Sequence, residues 1–359
     1  MARGINGGDD MKRTGTKAAT AMAALVAVLV LAACGSGGSS STGGSGGGSA
    51  SVDVGTKTIA TKGTPNIAYF VYGSGNAYGA AGKQAAIAAG KKNGVPVTVY
   101  DGAFDPQKQF NQLQTVLQGN RFNAISLGPI DANLVCNLAS KQAPAKNIVV
   151  GVVNQPLCGR YTQPDSGLWQ PGTLNYASGY FTKQRILEWL QAIAKQYPGQ
   201  QKVGLVTGLA VDSLSKLVDE DVKTIQKTNP GFQVVGEGRT DYTTAKGYTQ
   251  AQNLLQAHPD LTLIVSDYSD LTVGAAKAID QAGKGGKIGL ADFGGSSQVA
   301  ALVKSGKVGI TAPTYPKTEV TDSIDSIVAA FKGKQGERVI LPPFKVYTKD
   351  NIAEYQPQF

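Results

Sequence analysis

From residue 66 onward, short apolar runs alternate with longer amphipathic stretches. The runs at 66–72, 95–100, 124–127 and 148–153 read as strands. The last of these is continuously apolar, as in a strand covered on both faces. Helices are predicted up to residue 93 and over 106–117 and 132–141. The segment 176–197 reads as one long helix, with Ile186, Leu187, Leu190 and Ile193 on one side. The alternation then restarts, with strands at 203–207, 232–235, 261–266, 288–290 and 308–312. Helices fall at 212–227, 244–257, 271–282, 297–304 and 318–331. Repeated β-α units imply parallel sheets with helices on both faces, and two sets imply two similar α/β lobes. Ligands in such folds sit beyond the carboxyl ends of the strands. Here those ends lie near residues 73–78, 101–105, 128–131, 154–160, 207–213, 239–242, 267–270 and 291–295.

The N-terminal region has a different pattern. An apolar run at 18–33 follows Lys12, Arg13 and Lys17, the arrangement of a secretory signal. It falls short of the roughly 20 residues a membrane-spanning helix needs. The run ends in Leu31-Ala32-Ala33-Cys34, which resembles the lipobox of bacterial lipoproteins. The resemblance implies a lipid on Cys34, which becomes the N-terminus after cleavage. Residues 1–10 carry two acids and fit a signal poorly, so Met11-Lys12-Arg13 is the better start. Of the 17 residues at 35–51, 15 are Gly or Ser. No core can form from them, and a flexible tether is expected over 35–63.

Composition narrows the chemistry. With 42% hydrophobic and 16% charged residues among 359, wholesale disorder is excluded. The formal charge is +9. Residues 1–34 contain four basic and two acidic residues, so +7 remains without them. No run of five basic residues suggests nucleic acid, and none is expected as a partner. Three cysteines and one histidine exclude a four-cysteine zinc site and a multi-histidine centre. With Cys34 lipidated, Cys136 and Cys158 form an even pair in an exported chain, and a disulfide is expected between them. His258 sits before Pro259 at a helix end, a common structural placement. Gly73-Ser74-Gly75 lacks the nucleophile-elbow spacing, and Asp292-Phe293-Gly294 has none of the motifs that accompany it in kinases. The chain therefore reads as a non-enzyme without metal or cofactor.

The strand ends do carry amides, carboxylates and aromatics. Asn76, Tyr78, Asn154 and Gln155 lie at the ends of the first set. Asp241, Tyr242, Asp267, Tyr268, Asp292 and Phe293 lie at the ends of the second. Amides and carboxylates bond hydroxyl groups, and aromatic faces cover the C–H face of a sugar ring. These ten residues are the candidate ligand contacts.

Residues 241–260 (DYTTAKGYTQAQNLLQAHPD), the loop at Asn76-Ala77-Tyr78, and Tyr315-Pro316 resemble the ribose/galactose-binding class of solute-binding proteins of bacterial sugar ABC importers, the type I periplasmic binding proteins. The resemblance spans roughly residues 64–345. It implies two three-layer α/β lobes joined by a three-segment hinge. The N-terminal lobe would comprise 64–174 plus 316–341, and the C-terminal lobe 175–315 plus 342–359. Crossings are expected near 173–177, 313–317 and 340–344. It further implies an extracytoplasmic, lipid-anchored monomer that captures a small sugar or polyol and delivers it to an importer permease. A ligand-binding component of a membrane sensor or chemoreceptor, or a binder of a non-sugar polar solute, is the alternative. Ribose binders place two arginines on the sugar. Gln155 and Val218 stand at those positions here, and Arg239 is the candidate replacement.

Overall fold

The computed structural model of the protein describes residues 50–177 and 181–359. The apolar run, Cys34 and most of the expected tether lie outside these residues. A hairpin of β1 (Ser51–Asp53) and β2 (Thr58–Ala60) comes first. The first lobe follows with β3 (Ile67–Val71), α1 (Ala77–Asn93), β4 (Val97–Asp101), α2 (Pro106–Gln118) and β5 (Ala124–Leu127). It continues with the short α3 (Ala143–Ala145), β6 (Val149–Val152) and β7 (Asn175–Ala177). The second lobe contains α4 (Lys183–Gln196), β8 (Gln201–Thr207), α5 (Ser213–Thr228), β9 (Phe232–Arg239), α6 (Thr244–Ala257) and β10 (Leu263–Ser266). It closes with α7 (Ser269–Gln281), β11 (Gly289–Gly294), α8 (Ser297–Lys304) and β12 (Ile310–Pro313). The chain then returns to the first lobe through α9 (Pro316–Phe331) and β13 (Val339–Ile340).

The two sheets run β13-β7-β6-β5-β3-β4 and β12-β11-β10-β8-β9. Every pairing within them is parallel. In each lobe the first strand is flanked by the second and the third, the doubly wound order whose switch point opens a crevice at the strand carboxyl ends. Strand alternation explains the layering. Ile67, Tyr69 and Val71 face Val320, Ile324 and Ile327 of α9. Ala68 and Phe70 face Leu113 and Leu117 of α2 on the other side. In the second lobe, Val203, Leu205 and Leu263 pack on Trp189, Leu190 and Leu217, and Val206 and Ile264 on Leu254 and Leu271.

Four expectations change. First, residues 51–60 are not tether. Val52, Val54 and Ile59 alternate inward and pack against α9. Arg338 bonds Asp53 at 2.8 Å and lies over the Trp169 ring at 4.3 Å, fixing the hairpin from outside. Second, the predicted helix at 132–141 is a series of turns leading into a π-helical turn at Leu138–Gln142. Third, the long helix at 176–197 begins only at Lys183. Fourth, Asn175–Ala177 pairs with β6 and β13, so the first lobe extends through residue 177. The apolar side chains of Tyr176 and Ala177 suit a buried strand as well as a helix, and periodicity alone does not separate the two. The chain passes between lobes after β7, between β12 and α9, and after β13, where Tyr347 bridges back to Thr311 of β12. Cys136 and Cys158 are joined by a disulfide, with Cα atoms 5.1 Å apart.

Ile59 is fully buried. Ile59→Ala should lower unfolding free energy by about 2–5 kcal/mol in urea titrations, the usual cost of a large-to-small core change. A change near zero would show that the hairpin does not belong to the folded unit.

Candidate functional site

The carboxyl ends of both sheets face a common cleft with about 500 Å³ between its lining atoms, counting the part open to solvent. The first lobe contributes Tyr72, Asn76, Tyr78, Phe104, Ile130, Asn154 and Gln155. The second contributes Phe181, Leu209, Asp212, Leu214, Tyr242, Asp267, Tyr268 and Phe293, and Thr314 lies on the crossing after β12. The lining, mostly apolar and aromatic with a few convergent polar groups, is that of a small-molecule pocket.

Matching backbone devices in the two lobes hold the aromatic walls. Gly73 follows β3, the first strand of its sheet, and a Cβ there would lie 2.4 Å from the Phe104 ring. Gly208 follows β8, the equivalent strand, and a Cβ there would lie 1.8 Å from the Tyr242 ring. Only glycine lets each ring approach the backbone this closely. Both aromatics follow the second strand of their lobe and take positive φ, 59° for Phe104 and 63° for Tyr242. Such conformations are disfavoured for bulky residues and concentrate at functional sites. Across the cleft the two rings meet with centroids 6.0 Å apart. Tyr268 stands edge-on to Tyr242 at 5.5 Å, and Tyr72 tilts against Phe104 at 6.1 Å.

Direct bonds close the seam between lobes. The Tyr78 amide donates to the Tyr268 hydroxyl at 3.2 Å. The amide and hydroxyl of Ser213, at the start of α5, donate to Gln155 Oε1 at 3.1 and 2.8 Å. Tyr78 donates its hydroxyl proton to Glu319 at 2.7 Å and accepts from the Asn154 amide at 3.2 Å. Asn76 caps α1 by accepting from the Gly79 amide.

Of the ten expected contacts, the structure gathers Asn76, Tyr78, Asn154, Gln155, Tyr242, Asp267, Tyr268 and Phe293 in the cleft. Asp241 and Asp292 are not there. Asp241 is exposed and accepts from the backbone and hydroxyl of Thr243, a turn role; it borders a separate shallow hollow. Asp292 is fully buried inside the lobe, accepting from Thr272, Thr311, Ser269 and the Gly295 amide. Its neighbour Phe293 lines the cleft; adjacent strand residues point to opposite faces, so the pair cannot both reach it. Arg239 also lies in the shallow hollow, paired with Asp219 and Glu237. Sequence reasoning missed Tyr72, Phe104, Phe181, Leu209 and Asp212 as wall residues. The repeated device of a glycine after the first strand and an aromatic after the second was the available signal for Phe104.

A profile described as periplasmic binding protein domain matches residues 67–335. The chain belongs to this family. The ribose import binding protein of Bacillus subtilis strain 168 is 24% identical over 262 residues, 72% of this chain and 79% of that protein. An ABC transporter solute binding protein from Bacillus halodurans C-125 with bound myo-inositol superposes with a TM-score of 0.73 at 17% identity. The match covers 83% of this chain and 99% of that one. A periplasmic solute binding protein from Actinobacillus succinogenes 130z with bound D-allose gives 0.70 at 18% identity, covering 81% and 100%. The two α/β lobes are thus those of type I periplasmic binding proteins.

Among the described residues of this binding-protein fold, no group of three or more His, Cys, Asp or Glu could hold a metal ion. No described helix is long and apolar enough to cross a membrane. The titrating groups of the cleft are carboxyls. Burial pushes Asp267 up to about 8, against the Gly208 amide and Ser215 hydroxyl that hold it down; the nearby Asp212 raises it further and Arg239 lowers it. Burial likewise pushes Asp212 up to about 6, opposed by bonds from the Tyr242 hydroxyl and the amides of Leu214 and Ser215.

Folding raises the Asp267 value from 3.8 to about 8, so the native state holds this proton more tightly than the unfolded chain does. Its stabilising contribution is full below about pH 4 and disappears as pH rises toward about 8. Asp212 acts in the same direction over a lower window. The ligand-free protein should therefore lose thermal stability between pH 5 and 8, and Asp267→Asn should lose less. Equal losses in the two proteins would contradict this burial of the carboxyl.

Proposed function

We propose that this chain is an extracytoplasmic solute-binding protein that closes its lobes around one small sugar or polyol and delivers it to an ABC importer. One observation carries the reading. One cleft at the strand carboxyl ends takes amides from the first lobe, carboxylates from the second and phenols from both. A solute bridging those groups favours the closed form by its extra contacts there, and the permease reads that form. Family membership supports a binding role over catalysis. The relatives and neighbours above are named for import or solute binding, and two of them hold a polyol or sugar.

A panel of sugars and polyols tested by thermal shift and calorimetry examines this directly. A micromolar ligand corresponds to about −8 kcal/mol. At roughly a thousandfold excess over Kd it adds about 4 kcal/mol to stability. Tyr268→Ala removes a ring wall and the acceptor of a cross-lobe bond, and should weaken binding by about 1–3 kcal/mol. Lys223→Ala, on the exposed side of α5, should leave binding unchanged. If nucleosides or peptides bind and no sugar or polyol does, the reading fails.

The same reading includes a lipid on Cys34 and a tether that ends before the hairpin. One acyl chain binds a membrane marginally and several bind it stably. Cys34→Ala should leave unprocessed precursor or release the protein from the membrane fraction. Mass spectrometry finding an unmodified Cys34 in membrane-bound protein would overturn the anchor.

A further inference from the structure

We propose that the cleft is built for a cation: a small polyhydroxylated compound carrying one protonated amine. This rests on the solute-capture reading above and narrows its substrate class.

Charge in the cleft has one sign. Among the described residues that line it, Asp212 and Asp267 are the charged ones, and none is Lys, Arg or His. Asp267 is 1% exposed. Its Oδ2 accepts from the Gly208 amide and the Ser215 hydroxyl, both at 3.1 Å, while its Oδ1 is buried without a hydrogen-bond partner. More acids stand behind the walls. Glu319 accepts from Tyr78, Asp270 from the Ala77 amide, and Asp292 lies within the second lobe. The nearby cations are engaged elsewhere. Arg239 pairs with Asp219 and Glu237, and the Lys216 ammonium donates to the Val211 carbonyl.

The starts of α5 and α1 offer no seat for an anion. At α5, Gln155 takes the Ser213 amide and Asp212 takes the Leu214 amide. At α1, the amides of Ala77, Tyr78 and Gly79 are taken by Asp270, Tyr268 and Asn76. The protein's own acceptors thus use the positive ends that would otherwise draw an anion.

An ammonium group answers what remains. It brings donors to the vacant Oδ1 and a charge opposite to the buried carboxylates, which a hydroxyl cannot supply. Phe104, Tyr242 and Tyr268 present π-systems that attract a desolvated cation. Asn76, Asn154 and Thr314 add amide and hydroxyl groups to the lining, chemistry suited to the ligand's hydroxyl groups. Without a cationic partner, burial lets Asp267 keep a proton at neutral pH. A bound ammonium takes the place of that proton. Binding then releases protons near pH 7, and affinity rises from pH 6 toward 8 until the amine itself deprotonates. The uncharged parent of the same ligand shows no such rise.

The test is titration calorimetry at pH 7 with D-glucosamine, D-galactosamine and an amino cyclitol. Each is paired with its hydroxyl parent and run in two buffers of different ionisation heat. At least one amine should bind tenfold or more tightly than its parent, with heats that reveal net proton release. Asp267→Asn should abolish both the preference and the release, and Asp212→Asn serves if that variant does not fold. Parents binding as tightly as the amines would overturn this inference and leave the capture reading standing. An amine preference that survives in both variants would overturn its assignment to these carboxylates. If neither amines nor parents bind, this inference falls, and the capture reading falls with it only if the sugar and polyol panel fails too.

Discussion

Two parallel sheets that point their carboxyl ends at each other create a polar seam, and closing that seam governs the rest of the structure. Backbone amides at two helix starts and a row of strand-end side chains must find partners or keep water. Gln155 reaches across to Ser213, and the Tyr268 hydroxyl accepts from Tyr78. Glu319 on α9 holds the Tyr78 hydroxyl from behind. What these bonds leave unfilled is the vacant carboxylate oxygen of Asp267 and the aromatic faces around it. The seam therefore defines the site by subtraction.

The same constraint explains the strained residues. Phe104 and Tyr242 hold positive φ because each ring must turn back over a glycine to face the cleft. Asn154, at φ 69°, sits at the end of β6 with its carbonyl accepting from Tyr176 and its amide reaching Tyr78. Strain of this kind persists where surrounding contacts over-determine it. Here the contacts are the tightly packed rings themselves.

Much of this was legible in the sequence. The β-α alternation located two lobes and the strand ends, because buried parallel strands read as apolar runs. The pattern failed where one residue type serves two roles. Asp212 reads as a helix cap, and it is one; the same carboxyl also faces the cleft and accepts from Tyr242. Asp292 and Phe293 are adjacent, and only register decides which one points inward. The hairpin at 51–60 was hidden by the Gly/Ser run before it, since three inward apolar residues are too few to signal a strand pair. The empty arginine positions of ribose binders were visible, but that nothing basic replaces them became plain only with Arg239 placed in its ion pairs.

Amide hydrogen exchange at Tyr78 and Ser213 tests the central claim most directly, because both backbone N–H groups donate across the seam. With a bound cleft solute, exchange at both should slow together, while exchange within the β1–β2 hairpin stays unchanged. A solute that binds yet leaves both amides exchanging at their ligand-free rates would contradict closure of the two lobes around it.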